Sequence, residues 1–344
     1  METILSKLYD IDKISLYDKY INMFRVPSSI DIKNVLPDSI LDQYKIDCEE
    51  LIKEVDVLDS EKYSSKILEY KEFLEKLQEI KINSIAYKAF CEVESNETIL
   101  STLRSFKPTK GFTNKVNYNL TGTITGRLVV TKNCPKVLTL PSRCRKIFES
   151  SFGSEGKLYN IDFVSLEPRV ARKVLGKQCK NDIYEEIKED LDMIIDRSVI
   201  KKAIISVLYG KHSDIEGISR EKSQIILKCV KEYFSIIELY EIANQIHHNK
   251  FRKNFYGRPI LNLNEEKTNK IINNFIQSTA VDISLMYFSS LTKLFKDKIR
   301  PLFVLHDAFI VDVHNKYAKE FINEVNKGFM CQKLGYFPIE IKEY

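Results

Sequence analysis

Apolar residues along this chain recur with two periods, and the switches between them mark its elements. In the stretch from 61 to about 80, Ile67, Tyr70, Leu74 and Leu77 recur at three- and four-residue spacing with Lys and Glu between them. That spacing predicts an amphipathic helix with one face on a core. Residues 157–164 predict a strand, 181–208 a helix, 219–250 a long helical stretch and 266–296 another. Residues 302–313 read as two short strands hinged at His306-Asp307, and 332–344 as one more strand. The first 60 residues give only short amphipathic pieces broken by Pro27 and Pro37. Strands separated by long helical insertions predict an α+β fold whose sheet is assembled from distant segments.

Composition narrows this little. A hydrophobic content of 44% beside 29% charged residues allows a true core, in one large domain or two to three lobes. The net charge of +5 suits a nucleic-acid binder and equally many metabolic enzymes. Cys48, Cys91, Cys134, Cys144, Cys179, Cys229 and Cys331 form no C-x-x-C pair, so reduced thiols are expected rather than disulfides or zinc. The N-terminus lacks the basic-then-apolar layout of a signal peptide, and no apolar run approaches the ~20 residues that span a bilayer. A soluble, cytoplasmic protein without membrane contact is expected. Residues 106–145 gather Lys107, Lys110, Lys115, Arg127, Lys132, Lys136, Arg143 and Arg145 among Asn, Thr and Gly with almost no acids. Such a loop region suits a phosphate backbone, although a solvated basic surface has the same composition.

Candidate chemistry lies on the strands. Asp162 and Asp307 each sit in an apolar strand-like run, where a carboxylate costs several kcal/mol unless a cation or donors compensate it. Asp162 is a hard oxygen donor suited to Mg²⁺, or a cap for the helix that follows. Between the two aspartates, Arg197, Lys201, Ile205 and Tyr209 step by four residues and so share one helical face, drifting about 40° per step. Two cations near the helix start, an apolar middle and an aromatic end match a nucleotide's triphosphate, sugar and base, with Gly210 placed as a C-cap. A solvated basic face with a buried Tyr fits that helix alone equally well. His306-Asp307 alone reads as a hairpin turn. Together, two strand carboxylates predict a clamp for two Mg²⁺ ions ~3.5–4 Å apart, the chemistry of nucleotidyl transfer.

These residues resemble the motifs of family A DNA polymerases, the DNA polymerase I type. Asp162-x4-Glu167-x-Arg169 resembles motif A, Arg197-x3-Lys201-x7-Tyr209-Gly210 motif B on the fingers helix, and Leu305-His306-Asp307 motif C. Thr123-x-Thr125-Gly126-Arg127-Leu128 is similar to the loop that touches the primer–template minor groove, and Ile67-Leu68-Glu69-Tyr70 to the thumb helix. Gln277-Ser278-Thr279-Ala280-x-Asp282-Ile283, with Asn273 one turn earlier, is similar to the helix on the template side. The motifs run in order over about residues 60–340.

The resemblance implies a right-hand fold with an antiparallel-sheet palm, helical fingers and helical thumb. It places the thumb at 61–120, the palm at 121–176 and 256–344, and the fingers at 177–255, with 1–60 a mostly helical N-terminal part of the thumb region. It implies a template-directed DNA polymerase acting as a monomer on primer–template DNA and dNTPs, with two Mg²⁺ ions or Mn²⁺ in their place. By the same resemblance Asp162 and Asp307 are metal ligands; Arg197 and Lys201 hold the triphosphate, and Lys201 is a proton donor to pyrophosphate. Tyr209 packs beside the templating pair, and Glu167 closes off the sugar's 2′ position. Thr125, Arg127, Asn273, Gln277 and His306 contact DNA, and Arg143 or Arg145 approaches the incoming phosphates.

Departures from the pattern carry their own expectations. Ala308 stands where the family usually has a carboxylate after His-Asp, which predicts an active enzyme with altered metal use. Ile205 replaces the usual aromatic facing the sugar, which predicts altered discrimination against dideoxynucleotides. The loop over 128–141 is longer than usual. Only about 60 residues precede the thumb-like helix, which predicts no 3′–5′ proofreading within this chain; a separate exonuclease, clamp or helicase would then act with it. The economy of the chain resembles viral or plasmid members. The competing readings are a single-subunit RNA polymerase-like enzyme, against which Glu167 argues, and a catalytically weak DNA-binding replisome subunit.

Overall fold

The computed structural model describes residues 37–43, 45–46, 63–191, 193–210, 214–247, 251–261 and 267–344. The short elements expected before residue 60 thus lie almost wholly outside the described residues. The organising element is a four-stranded antiparallel sheet of β1 (Gly156–Phe163), β2 (Ile299–Leu305), β3 (Ala308–His314) and β4 (Ile339–Glu343), in the order β4-β1-β3-β2.

Alternation along β1 decides what each face does. Tyr159, Ile161 and Phe163 point to one face, where the main core lies, together with Phe309, Val311 and Val313 of β3. On that face Phe288 of the long helix packs on Phe309 with ring centroids 5.0 Å apart. Leu158 points to the other face, into a second core with Phe303, Leu305, Ala308 and Ile310. Asn160 and Asp162 follow Leu158 on that second face by the same alternation.

Helices cover the first face. These are α1 (Tyr63–Glu75), α2 (Leu166–Lys173), α3 (Ile183–Leu191), α4 (Arg197–Tyr209), α5 (Thr268–Leu294) and α6 (Asn315–Val325). Tyr70, Leu74 and Leu77 are buried as the α1 pattern requires, although the helix ends at Glu75, short of the expected end. The 27-residue α5 matches the expected element closely and packs against α1, α2 and α4.

Two expected helices are each divided. Residues 181–208 form α3 and α4, interrupted where Asp196 adopts an extended backbone (ψ 140°) ahead of α4. Residues 219–250 form Arg220–Tyr233 and Ile236–Ala243, separated at Ser235, whose φ of 45° is left-handed, and then enter a short strand at Ile246–His247. The closing segment holds two strands rather than one: Gly335–Phe337 pairs with Phe329–Cys331, and β4 joins the central sheet. Ser84–Val93 and Glu97–Arg104 are helices that the apolar pattern did not reveal. Asn83 and Asn96 cap them, each side chain accepting from two backbone N–H groups of the first turn. No described helix is long and apolar enough to cross a membrane.

Two buried aspartates hold this frame. Asp282 of α5 accepts hydrogen bonds from Tyr63 Oη at 2.8 Å, Asn254 Nδ2 at 2.6 Å and Arg258 at 2.8 Å, joining α1, the 251–261 hairpin and α5. Asp312 of β3 accepts from Ser150 Oγ at 2.6 Å and from the Ser151 N–H and Oγ at 2.7 and 2.6 Å.

Candidate active site

Asp162 stands one residue before the end of β1 and pairs directly with Ala308 on one side and Glu340 on the other. His306 and Asp307 form the two-residue turn between β2 and β3, closed by the Leu305–Ala308 pair. The hairpin turn and the candidate site dipeptide are therefore the same feature. His306 has φ 57°, a left-handed conformation that costs a non-glycine residue about 1–2 kcal/mol. The turn brings Asp307 to the end of the sheet where Asp162 lies, and both line a cleft of about 640 Å³.

Opposite them, the first turns of α4 bring Arg197 and Lys201 to the same cleft. Gly210 ends α4 as a left-handed cap (φ 65°), and a Cβ there would fall 1.3 Å from Asn269 Nδ2, so a side chain would be strained and would force Asn269 to move. Arg127, Glu167, Gln277 and His306 complete the set of expected residues that line the cleft. Arg127 bonds Glu167 Oε1 at 3.0 Å, so the expected DNA contact and the expected sugar gate hold each other here.

The other expected residues lie elsewhere. Arg143 is taken by Glu94 at 2.6 Å, and the Arg145 guanidinium lies 5.7 Å from the Tyr344 ring centroid, so neither lines the cleft. Thr125 is buried within its loop, Tyr209 packs partly buried against the main core, and Ile205 is half-buried on α4. Asn273 is half-buried, its Oδ1 enclosed with no hydrogen-bond partner among the described residues.

Three residues of the site were not singled out from sequence. Tyr184 lines the cleft with its ring centroid 4.3 Å from the Arg197 guanidinium. Asp182 bonds Arg197 and also accepts from the N–H groups of Tyr184 and Glu185. Burial opposes its charge, but those donors, Arg197 first, hold Asp182 below its ordinary pKa. Glu340 lines the cleft from β4, where its alternation in Ile339-Glu340-Ile341 was the available signal.

Electrostatically the aspartates are poised. Burial first, then the charges of Asp307 and Glu340, push Asp162 up to about 6 against weaker help from Lys342 and the Phe163 N–H. Burial also raises Asp307, opposed by its own backbone N–H and by the charges of His306 and Arg127. Glu167 is raised by burial in spite of Arg127. A divalent cation would relieve all three. No group of three or more His, Cys, Asp or Glu among the described residues converges to enclose a metal. The donor set fits Mg²⁺ nonetheless, because that ion takes one or two carboxylates and completes its shell with water and substrate phosphate.

Below the cleft, the loop bearing Arg127 rests on a buried charge. Gly126 has φ 75°, and a Cβ there would lie 1.9 Å from an Arg258 guanidinium nitrogen, so the loop seats directly on the Arg258–Asp282 pair.

Comparison with known proteins gives this arrangement its relatives. The family model described as DNA polymerase family A matches residues 23–341. The chain belongs to DNA polymerase family A. Its fold is that of a family A polymerase domain, mixed helix and sheet. A solved structure of the POL domain of Pol1 from M. smegmatis, in complex with DNA primer-template and dNTP, is similar at 16% identity and a TM-score of 0.57. The match covers 71% of this chain and 50% of that one, so this family A chain spans about half the length of its structural relative. No curated protein sequence matches it.

Proposed function

We propose that this family A chain is a template-directed DNA polymerase that adds dNTPs to a primer 3′-hydroxyl. The observation that carries the reading is the convergence of Asp162, at the end of β1, and Asp307, in the β2–β3 turn, on one open cleft lined also by Arg197 and Lys201 from α4. In-line phosphoryl transfer demands little beyond positioning and charge neutralisation, and these groups supply both. Asp162 and Asp307 would hold the metal, and two Mg²⁺ ions bound there would activate the 3′-hydroxyl and neutralise the leaving pyrophosphate.

The remaining roles fall to this chain's own side chains. Arg197, steadied by Asp182 and the Tyr184 ring, orients the triphosphate, and Lys201 Nζ donates a proton to pyrophosphate. Glu167, half-buried at the start of α2, fills the space a 2′-hydroxyl would need, and Ile205 and Tyr209 border the sugar and templating base. Arg127, Gln277 and His306 line the cleft for the primer–template minor groove, and Asn273 and Thr125 would contact DNA outside that lining. In this assignment the four-stranded sheet is the palm, α3 and α4 with the helices after them the fingers, and α1 the thumb. Arg143 and Arg145 reach incoming phosphates only if their present partners release them, so they take no role in the proposal.

Primer extension with dNTPs against rNTPs, with and without Mg²⁺ or Mn²⁺, tests the reading. Metal-dependent extension with dNTPs, abolished by Asp307→Ala, is expected. Preference for rNTPs would favour the RNA polymerase reading, and no extension with either metal would leave a DNA-binding subunit. For this chain alone the proposal includes no 3′–5′ proofreading. Degradation of a 3′-mismatched primer that survives Asp162→Ala would overturn that part.

A further inference from the structure

We infer that Glu340 is a third carboxylate of this active site, acting on the metal-binding aspartate from the neighbouring strand in place of an acid at position 308. The inference rests on the polymerase reading above and concerns how the chain manages without the acid that usually follows His-Asp.

The sheet register carries the argument. Leu305, Ala308, Asp162 and Glu340 form one row across β2, β3, β1 and β4. Directly paired residues project from the same face, with Cβ atoms about 5 Å apart. Asp162 therefore has one neighbour on each side, and the buried methyl of Ala308 offers neither charge nor donor oxygen. Glu340 offers both, and it lines the cleft with the two aspartates. A carboxylate removed from one flank of Asp162 is thus present on the other.

Its only ion pair among the described residues is with Lys342, two residues along the same strand, at 2.9 Å. Glu340 and Lys342 are 52% and 64% exposed, and such a surface pair is worth little, so the carboxylate is free to turn toward a stronger cation. No three acids among the described residues are close enough to enclose one ion together. Glu340 therefore acts from outside the inner coordination sphere, through an intervening water or through its charge. It is a positioning residue rather than a direct ligand. A single charge about 6 Å from a divalent ion in water changes its affinity roughly three- to tenfold once screening is allowed for.

The test measures Mn²⁺ bound to the full chain by electron paramagnetic resonance, without DNA or nucleotide. Wild type, Glu340→Gln, Glu340→Gln combined with Ala308→Glu, and Asp162→Asn are compared, each checked for a melting temperature no lower than that of wild type. Glu340→Gln is expected to weaken Mn²⁺ binding roughly three- to tenfold, and Ala308→Glu in that background to restore it. Wild-type affinity in Glu340→Gln, while Asp162→Asn abolishes binding, would overturn this inference and leave the polymerase reading intact. Unchanged binding in Asp162→Asn would overturn both.

Discussion

Asp312 and Asp307 lie five residues apart around the same strand, and their surroundings could hardly differ more. Asp312 is sealed on an interior strand with three donors from Ser150 and Ser151, as Asp282 is sealed in α5 with Arg258, Tyr63 and Asn254. Asp307 and Asp162 each receive a backbone N–H, and no side-chain donor among the described residues bonds them. The sealed pair has its charge answered within the fold. The cleft pair is partly desolvated, mutually repelling and open to solvent, a state that a fold sustains only at a cost. A strand aspartate thus becomes informative about function when its hydrogen bonds are counted, since burial alone does not separate the two kinds.

The contrast can be broken most forcefully by exchanging charge for an isosteric amide. Asp162→Asn or Asp307→Asn should lower primer extension about a thousandfold, several kcal/mol of barrier, without lowering the melting temperature. A folded Asp307→Asn protein with wild-type rates would remove the cleft pair from catalysis. Asp282→Ala should do the opposite, leaving Arg258 uncompensated and costing about 3–5 kcal/mol of stability in urea unfolding. An Asp282→Ala protein of full stability but no activity would place that residue in the site instead.

The cleft pair should also show itself in pH. Asp162 is raised from 3.8 to about 6 in the folded chain, so its protonated form is favoured by folding. The stability this confers is complete below the unfolded value and is lost as pH rises through about 6. Metal-free protein should therefore melt at progressively lower temperature across that window, and Asp162→Asn should flatten the profile. A metal-free profile identical in the two proteins would show that the cleft charge is not strained. The smallest effect is expected at the Arg127–Glu167 pair. Arg127→Ala should change stability by less than about 1 kcal/mol, because the arginine is largely exposed. The same variant should weaken primer–template binding severalfold and reduce its salt dependence.

Much of this was legible in the chain itself. The strand runs around Asp162 and Asp307, the four-residue steps of α4 and the long α5 are strong periodic signals, and each falls where the pattern places it. The start of α4 was already implied by the cations read at its first turns, whereas the break at Ser235 was not legible, because that segment carries neither Gly nor Pro. Glu340 was hidden for another reason. Its place beside Asp162 comes from a strand pairing between segments remote in sequence, which local periodicity does not encode. Arg143 and Arg145 show the converse: the resemblance aimed one of them at incoming phosphate, while the fold pairs Arg143 with Glu94 and sets Arg145 beside the Tyr344 ring, away from the cleft.

The position of β1 between β3 and β4 has a consequence for how the molecule comes into being. Its partners on both sides lie far downstream in the chain, so the strand bearing Asp162 emerges during synthesis long before anything can zip against it. Contacts of such long range form late and slowly. A nascent chain that has produced α4 already displays its cations, yet the acidic half of the cleft does not exist until the chain folds back on either side of β1. Assembly of the acidic cleft is thereby tied to completion of the sheet, and a half-made chain would present the cations of α4 without their acidic counterpart.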